Sequence, residues 1–328
     1  MGSTVVEKVQ VLPPFRLAPE FHARIWGFQN LTPWFDYKSS GDPVGEVWLT
    51  GDACVAETGS LAARSLKQIT ADHGAALLGA QHAGEDFPLL VKVLFPKEKL
   101  SVQVHPDDAM AQRYGQPRGK TESWYALEAE SGANVALGLK PGVTKDQVRR
   151  AIGDATLEDL LNYLPVSDGD MIFVDAGTVH AILPGSVILE TQQNSDITYR
   201  LYDYGRPREL HLEKALEAMR SSTHAGKVSP RAEGNHTTLV NEKYFRIDRF
   251  VLEGRSSSKD LAQDGKKQLQ LFFVSQGSAT ISGEGFDPFT LSRCQVAVIP
   301  ASAGTWELEA QGRLELIRMI PQESDPVR

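Results

Sequence analysis

Short apolar runs bounded by Gly, Pro, Asp and Asn dominate the chain. Those over residues 44–49, 89–95, 100–105, 123–127, 171–174 and 186–191 are rich in Val, Ile, Leu and aromatics, and each is predicted as a strand. The pattern returns late, over 245–251, 268–274, 278–282, 295–299 and 314–319. Many short strands at this spacing predict a barrel or a sandwich, so the fold class is mainly β. Helical spacing is confined to a few stretches. Ser60 is placed to cap a helix running to about His73, with Gly74 as its stop. Thr144 with Gln147 forms a capping box. Thr156 with Asp159 opens a second short helix, in which Leu157, Leu160, Leu161 and Leu164 make an apolar stripe before Pro165 ends it. Leu212, Ala215, Leu216 and Met219 repeat at helical spacing within 209–220. These stripes read as packing faces.

Residues 221–237 are polar and carry Gly, Ser and Pro, and they read as a linker. Two domains are therefore expected, 1–235 and 236–328, the first with a short helical insertion at about 144–164. There is an internal echo. Gly169-Asp170 through Gly177-Thr-Val-His180 is matched by Cys294 through Gly304-Thr-Trp306, both reading as strand, tight turn, strand. The second copy has Trp306 where the first has His180, which points to one working and one silent copy.

Composition narrows the function classes. The 328 residues include 42 Asp+Glu against 34 Lys+Arg, a net charge of −8, which argues against a nucleic-acid partner. A locally positive cleft for an anionic small molecule remains compatible with it. The two cysteines, Cys54 and Cys294, are too few and too far apart for a disulfide framework or a zinc–thiolate motif, and read as buried free thiols. The start at Met1-Gly2 lacks a basic segment followed by an apolar one, and Val6 stands where a myristoylation motif needs Ser or Thr. The longest apolar run, 87–95, is broken by Lys92 and is too short to span a membrane. A cytoplasmic protein without a membrane partner is expected.

The chemistry concentrates in four places. Gln103 and His105 are two apart on a predicted strand, so both side chains face one way, opposite Val102 and Val104. A polar pair on an inward strand face needs a partner, and a metal ion is one that satisfies both. Glu122 heads the next strand and His180 follows the Gly177 turn. Two imidazoles, a carboxylate and an amide oxygen make an N/O site open to zinc, iron, manganese, cobalt or nickel. Lys120 is two residues from Glu122 and so shares its side of an extended chain, as a solvated lysine, a charge clamp or a proton-transfer group. Asp196 and Arg200, four apart, are either a surface ion pair or a guanidinium set beside the metal for a phosphate or an oxyanion.

Gln103-Val-His105-Pro, Gly119-Lys120-Thr-Glu122, Gly169-Asp170 through His180-Ala and Asn194-Ser-Asp196 through Arg200 resemble, in that order, the type I mannose-6-phosphate isomerases, above all the shorter bacterial members. Arg24-Ile-Trp-Gly27, Gly45-Glu-Val-Trp48 and Gln192-Gln-Asn-Ser extend the likeness, and the C-terminal part matches only loosely. The resemblance implies a cupin fold, with two β-barrels or jelly rolls of which the second is degenerate. It implies one zinc per chain, replaceable by other divalent metals, at Gln103, His105, Glu122 and His180. It places the active-site arginine on Arg200, and puts Lys120 and Asp196 at cleft positions for phosphate contact or proton transfer. The implied reaction converts mannose 6-phosphate to fructose 6-phosphate through a cis-enediol, with Lys120, Asp196 and Glu190 as candidate bases. Rival readings are an isomerase of another sugar phosphate, a non-catalytic cupin that binds sugar phosphates, and a cupin oxygenase. Two departures stand out: Asp175 occupies a turn position where cupins often have Pro, and the large helical domain of longer members is missing.

Overall fold

The structure, a computed structural model, describes residues 10–262 and 267–322, the side chain of Gln81 excepted. The Met1-Gly2 start lies outside the described residues. The chain divides into two compact units. One comprises Phe21–Trp48 and Leu89–Pro230; the other draws its described residues from Met1–Glu20, Leu49–Pro88 and Arg231–Arg328. The expected first domain, 1–235, included the segments 1–20 and 49–88. The described part of these, 10–20 and 49–88, joins the C-terminal unit instead, because Phe15–Leu17 pairs with Val296–Ile299 and Ala301 donates to the Leu77 carbonyl.

The first unit holds two antiparallel sheets. Seven strands run in the order Gly226–Lys227, Met171–Val174, Glu122–Ala129, Ser186–Gln193, Leu89–Leu94, Val44–Trp48, Glu20–Phe28. Five run in the order Tyr199–Tyr202, Val102–Val104, His180–Ile182, Asn134–Leu139, Leu161–Pro165. Trp26, Leu94, Trp124, Ile172 and Ile188 of the larger sheet share one core with Val135, Leu137 and Ile182 of the smaller. The two inner faces therefore pack as in a jelly roll, and neither sheet closes on itself among the described strands. The outer face of the smaller sheet, with Val102, Val104 and Ala181, packs against Val148, Ala151, Ala215 and Leu216 of two short helices. Of these, Ala215 and Leu216 belong to an expected apolar stripe; Val148 and Ala151 lie on the helix for which only the Thr144 cap was expected.

The second unit is one nine-stranded antiparallel sheet built around the long strands Phe245–Ser257 and Trp306–Pro321. A register shift between Leu252 and Gly254 bends this pair, so its core of Phe250, Phe272, Ile281, Leu308 and Leu316 lies inside the curve. The internal echo is real at the level of backbone: Met171–Val174, turn, His180–Ile182 against Val296–Ile299, turn, Trp306–Pro321. Trp306 is buried edge-on to Phe272 at 5.6 Å, so an indole fills the second unit where the first has an imidazole.

Several local expectations shift. Ser65, not Ser60, caps the helix Leu66–Leu78, through a capping box with Gln68. Residues Gly59–Leu61 make only one 3-10 turn. His73 is a kink inside that helix rather than its end, with Nε2 at 2.9 Å from Arg64 Nη1. The leucine stripe after Thr156 yields one 3-10 turn, Leu157–Leu160, and then the edge strand Leu161–Pro165, because pairing with Asn134–Leu139 satisfies more backbone than a second helical turn would. The 209–220 stretch is helical only over Leu212–Ala218. The expected linker contains two short paired strands, Gly226–Lys227 and Arg231–Glu233. Among the described residues no helix is long and apolar enough to cross a membrane.

Cys54 and Cys294 form no disulfide and are both buried. Burial pushes each thiol up to about 12, with the Glu20 carboxylate adding to the effect on Cys54. The thiolate is the nucleophile, so native protein at pH 8 should resist iodoacetamide and label at both sites only in denaturant. Rapid labelling of either cysteine in native protein, read by mass spectrometry, would contradict this packing.

Candidate metal centre

Two rows of cross-strand neighbours build the site, one in each sheet of the first unit. In the smaller sheet Arg200 stands opposite Gln103, and Gln103 opposite His180. In the larger sheet Trp124 stands opposite Glu190, Glu190 opposite Lys92, and Lys92 opposite Trp48. Directly opposed residues share a face, as do residues two apart. His105 thus extends the first row, and Glu122 and Glu46 extend the second.

The turn before His180 passes through Gly177 at φ +89, a conformation that disfavours any side chain, and a Cβ there would meet Arg220 at 2.6 Å. The Gly177 N–H donates to the His105 carbonyl at 2.9 Å. Asp175, the departure from the usual proline, accepts from Thr178 Oγ1 at 2.9 Å and from the His224 N–H at 3.1 Å. Two side-chain hydrogen bonds therefore hold the turn.

The rows converge on His105, Glu122 and His180, whose ligating atoms lie within 4.8 Å of one another. His105 Nε2 is 3.5 Å from Glu122 Oε2, and His180 Nε2 is 3.3 Å from Glu122 Oε1. Each residue is only 1% exposed. The Thr178 carbonyl, 2.9 Å from His180 Nδ1, takes the hydrogen of that nitrogen and leaves the Nε2 lone pair facing Glu122. Gln103 Nε2 lies 3.2 Å from His180 Nε2, and a half-turn of the amide exchanges it for Oε1. All four residues expected from the sequence are together.

Electrostatics fit a cation. Among the described residues neither oxygen of Glu122 has a hydrogen-bond partner of good geometry, and the buried His105 ring has only the Ile197 backbone beside it. Burial holds His105 well below the usual imidazole range, helped by Lys120, and burial lowers His180 to about 4. Both rings are neutral at pH 7, the form that ligates a metal. Burial pushes the Glu122 carboxyl upward, and Lys120, with Nζ at 3.2 Å, opposes without overcoming it. A buried carboxylate among neutral lone pairs is a demand for positive charge. Two histidine nitrogens, a carboxylate and an amide oxygen match the N/O donor set of zinc and its neighbours.

A cavity of about 320 Å³ opens in this unit, lined by Gln103, Lys120, Trp124, Glu190, Asp196 and Arg200 among others. His105, Glu122 and His180 are not part of its lining and touch it through Gln103 and Lys120. Asp196 and Arg200 both line the cavity, and among the described residues no ion pair joins them. Arg200 donates through Nη1 to the Glu209 carbonyl at 2.7 Å. Its buried Nε has no partner, and among the described residues no carboxylate lies within ion-pair distance of it.

Sequence reasoning missed Arg24, Glu46, Lys92 and Arg208, which also line the cavity. Lys92 gave a signal, as the lone charge in an apolar run. Its Nζ lies 3.1 Å from Glu190 Oε2 and 3.6 Å from Glu46 Oε2. Burial opposes the Lys92 charge, but Glu190 and Glu46 hold its pKa up. Burial likewise pushes Glu190 up, and Lys92 and Lys120 more than reverse it. Glu190 also accepts from Trp124 Nε1 at 3.2 Å, so each of its oxygens has a partner in the wall of the cavity.

The family model for the catalytic domain of type I phosphomannose isomerase matches residues 14–141. A mannose-6-phosphate isomerase of Streptococcus mutans is 32% identical over 317 residues, covering 93% of this chain and 97% of that protein. One from Bacillus subtilis is 34% identical over 315 residues, covering 90% and 96%. The crystal structure of the Bacillus subtilis mannose 6-phosphate isomerase is similar with a TM-score of 0.83 at 30% identity, over 94% of this chain and 99% of that one.

Gly119 sets the path of the lysine loop. A Cβ there would lie 2.4 Å from the Asp107 carbonyl carbon and 2.5 Å from the Pro106 oxygen. Gly119→Ala should destabilise by about 2 kcal/mol through overpacking and displace Lys120. Gly153→Ala, whose Cβ meets nothing within 4 Å, should be neutral or stabilise by up to about 1 kcal/mol. Urea unfolding of the two variants checks the contrast, and equal stabilities would refute it.

Proposed function

The chain belongs to the type I mannose-6-phosphate isomerase family, and from that premise we propose that it interconverts mannose 6-phosphate and fructose 6-phosphate through a cis-enediol. The observation that carries the reading is the buried His105, Glu122 and His180 set, short of donors and adjoining a cavity whose lining includes an unpaired arginine.

In this reading Gln103, His105, Glu122 and His180 hold one zinc ion per chain, with other divalent metals able to replace it. A divalent ion there supplies Lewis-acid stabilisation of the charge that develops on sugar oxygens as the C2 proton leaves. The protein residues do the rest. Arg200 presents a guanidinium without a carboxylate partner, free for the phosphate or for an oxyanion. Lys120 and Asp196 line the cavity and are the proposed carriers of the proton between C1 and C2. Glu190 is tied to Lys92 and Trp124, so it serves better as a fixed wall charge than as a base.

The second unit fits a degenerate cupin. Trp306 replaces the imidazole, and the described residues contain no second cluster of His, Cys, Asp and Glu able to hold a metal. Two buried cysteines that form no disulfide suit a reducing compartment, and we place the protein in the cytoplasm.

A coupled assay of mannose 6-phosphate turnover tests the reading. Activity should vanish on chelation and return when zinc is restored to one equivalent per chain. Full activity in protein shown to be metal-free, or no turnover with zinc bound, would overturn it.

A further inference from the structure

Arg208 lines the cavity together with Arg200, and Arg206 lies close by on the same loop. Three guanidiniums in one region repel one another, and Arg208 and Arg206 both depress the Arg200 pKa, though less than burial does. One buried carboxylate, Asp203, faces two of them, Arg208 and Arg206, and Glu98 lies 3.9 Å from Arg206 Nη1. Asp203 Oδ2 accepts from Arg208 Nε at 2.6 Å, and Oδ1 accepts from Arg208 Nη2 at 2.6 Å. Oδ1 also accepts from Arg206 Nε at 3.1 Å and Nη2 at 2.8 Å. The Asp203 side chain is 2% exposed, against 26% for Arg208 and 17% for Arg206.

The loop around this carboxylate is held from several sides. Arg206 N–H donates to the Asp203 carbonyl at 3.0 Å, closing a turn through Tyr204 at φ +56 and Gly205 at φ +80. A tyrosine in the left-handed region is strained, and it persists only where its surroundings dictate it. The Arg206 guanidinium lies over the Tyr204 ring at 5.3 Å and donates to the Lys99 carbonyl at 2.8 Å, just ahead of the strand that carries Gln103. Arg206 thus fastens Asp203 to the scaffold, and Asp203 in turn grips Arg208 by two of its nitrogens. Among the described residues the remaining nitrogen, Nη1, makes no hydrogen bond or ion pair, which leaves it available to an anion at the cavity.

We propose that Asp203 is a positioning residue: it fixes the Arg208 fork beside Arg200, so that two guanidiniums form one anion cradle for the phosphate of the substrate. A carboxylate that grips one edge of a guanidinium leaves its outer edge preorganised, which reduces the ordering needed when a phosphate binds. The inference rests on the sugar-phosphate reading for the identity of the ligand, but the cradle itself is testable with inorganic phosphate.

The experiment measures inorganic phosphate binding by calorimetry, alongside KM and kcat, in the zinc-loaded protein. Asp203→Asn should weaken phosphate binding by about tenfold, equivalent to ~1.4 kcal/mol, and should raise KM by more than it lowers kcat. Arg208→Gln should do the same. The double variant should be no worse than either single one, because both remove the same held fork. Effects that multiply in the double variant, or an Asp203→Asn loss confined to kcat, would overturn the proposal. Should Asp203→Asn fail to fold, Arg208→Lys decides: a lysine cannot be gripped at two nitrogens, so it should lose phosphate binding as Arg208→Gln does, and wild-type binding would refute the role of the fork. A protein that binds phosphate in this pattern yet turns over no mannose 6-phosphate would sustain the cradle and overturn only the activity.

Discussion

Glu122 is a carboxyl group removed from water, facing two imidazole lone pairs, with no hydrogen-bond donor of good geometry on either oxygen among the described residues. Solvation lost on this scale is not recovered by neutral neighbours. Lys120 offsets part of it from 3.2 Å. The rest of the site follows from what would satisfy the remainder. The histidines are neutral because burial makes them so, and the Thr178 carbonyl aims His180 Nε2 at the carboxylate. The Gly177 turn and the Asp175 contacts deliver His180 to that place. A divalent ion converts an arrangement of unsatisfied acceptors into a coordinated one.

Around that point the first unit sorts its charges. Lys92 and Arg24 are paired with Glu190 and Glu46, so they shape the cavity without leaving it strongly positive, while Arg208 shares Asp203 with Arg206. The Arg200 side chain stands apart, bound among the described residues only to the Glu209 carbonyl. In a chain of net charge −8 this local imbalance gives an anionic ligand a defined place to bind. The second unit shows the same strand, turn, strand motif with Trp306 packed on Phe272, and there the interior is closed by apolar contact instead of by charge.

The parts of this account that depend on short-range spacing were legible in the sequence. Gln103 and His105 two apart, Lys120 and Glu122 two apart, and the Gly177 turn ahead of His180 each reduce to the period of a strand or the freedom of a glycine. The Thr144 capping box survives intact for the same reason. What was not legible depends on cross-strand register. Lys92 reads as a flaw in an apolar run until pairing sets it opposite Glu190, nearly a hundred residues away in the chain. Asp203 and Arg208 look like ordinary surface charges until the turn closes. Ser60 reads as the cap, but Ala63 stands three residues after it, whereas Ser65 has Gln68 there and closes the capping box that starts the helix. Residues 10–20 and 49–88 change unit through contacts far along the chain, the edge strand Phe15–Leu17 on Val296–Ile299 and the Ala301 N–H on the Leu77 carbonyl.

The central claim is that the Glu122 cluster is a metal centre, and anomalous diffraction at the zinc edge from zinc-loaded crystals tests it most directly. The account predicts one strong peak per chain, within bonding distance of His105 Nε2, Glu122 and His180 Nε2, with the Gln103 amide oxygen turned toward it. Zinc bound elsewhere, or ordered water completing the hydrogen bonds of Glu122 with no metal between the histidines, would contradict it.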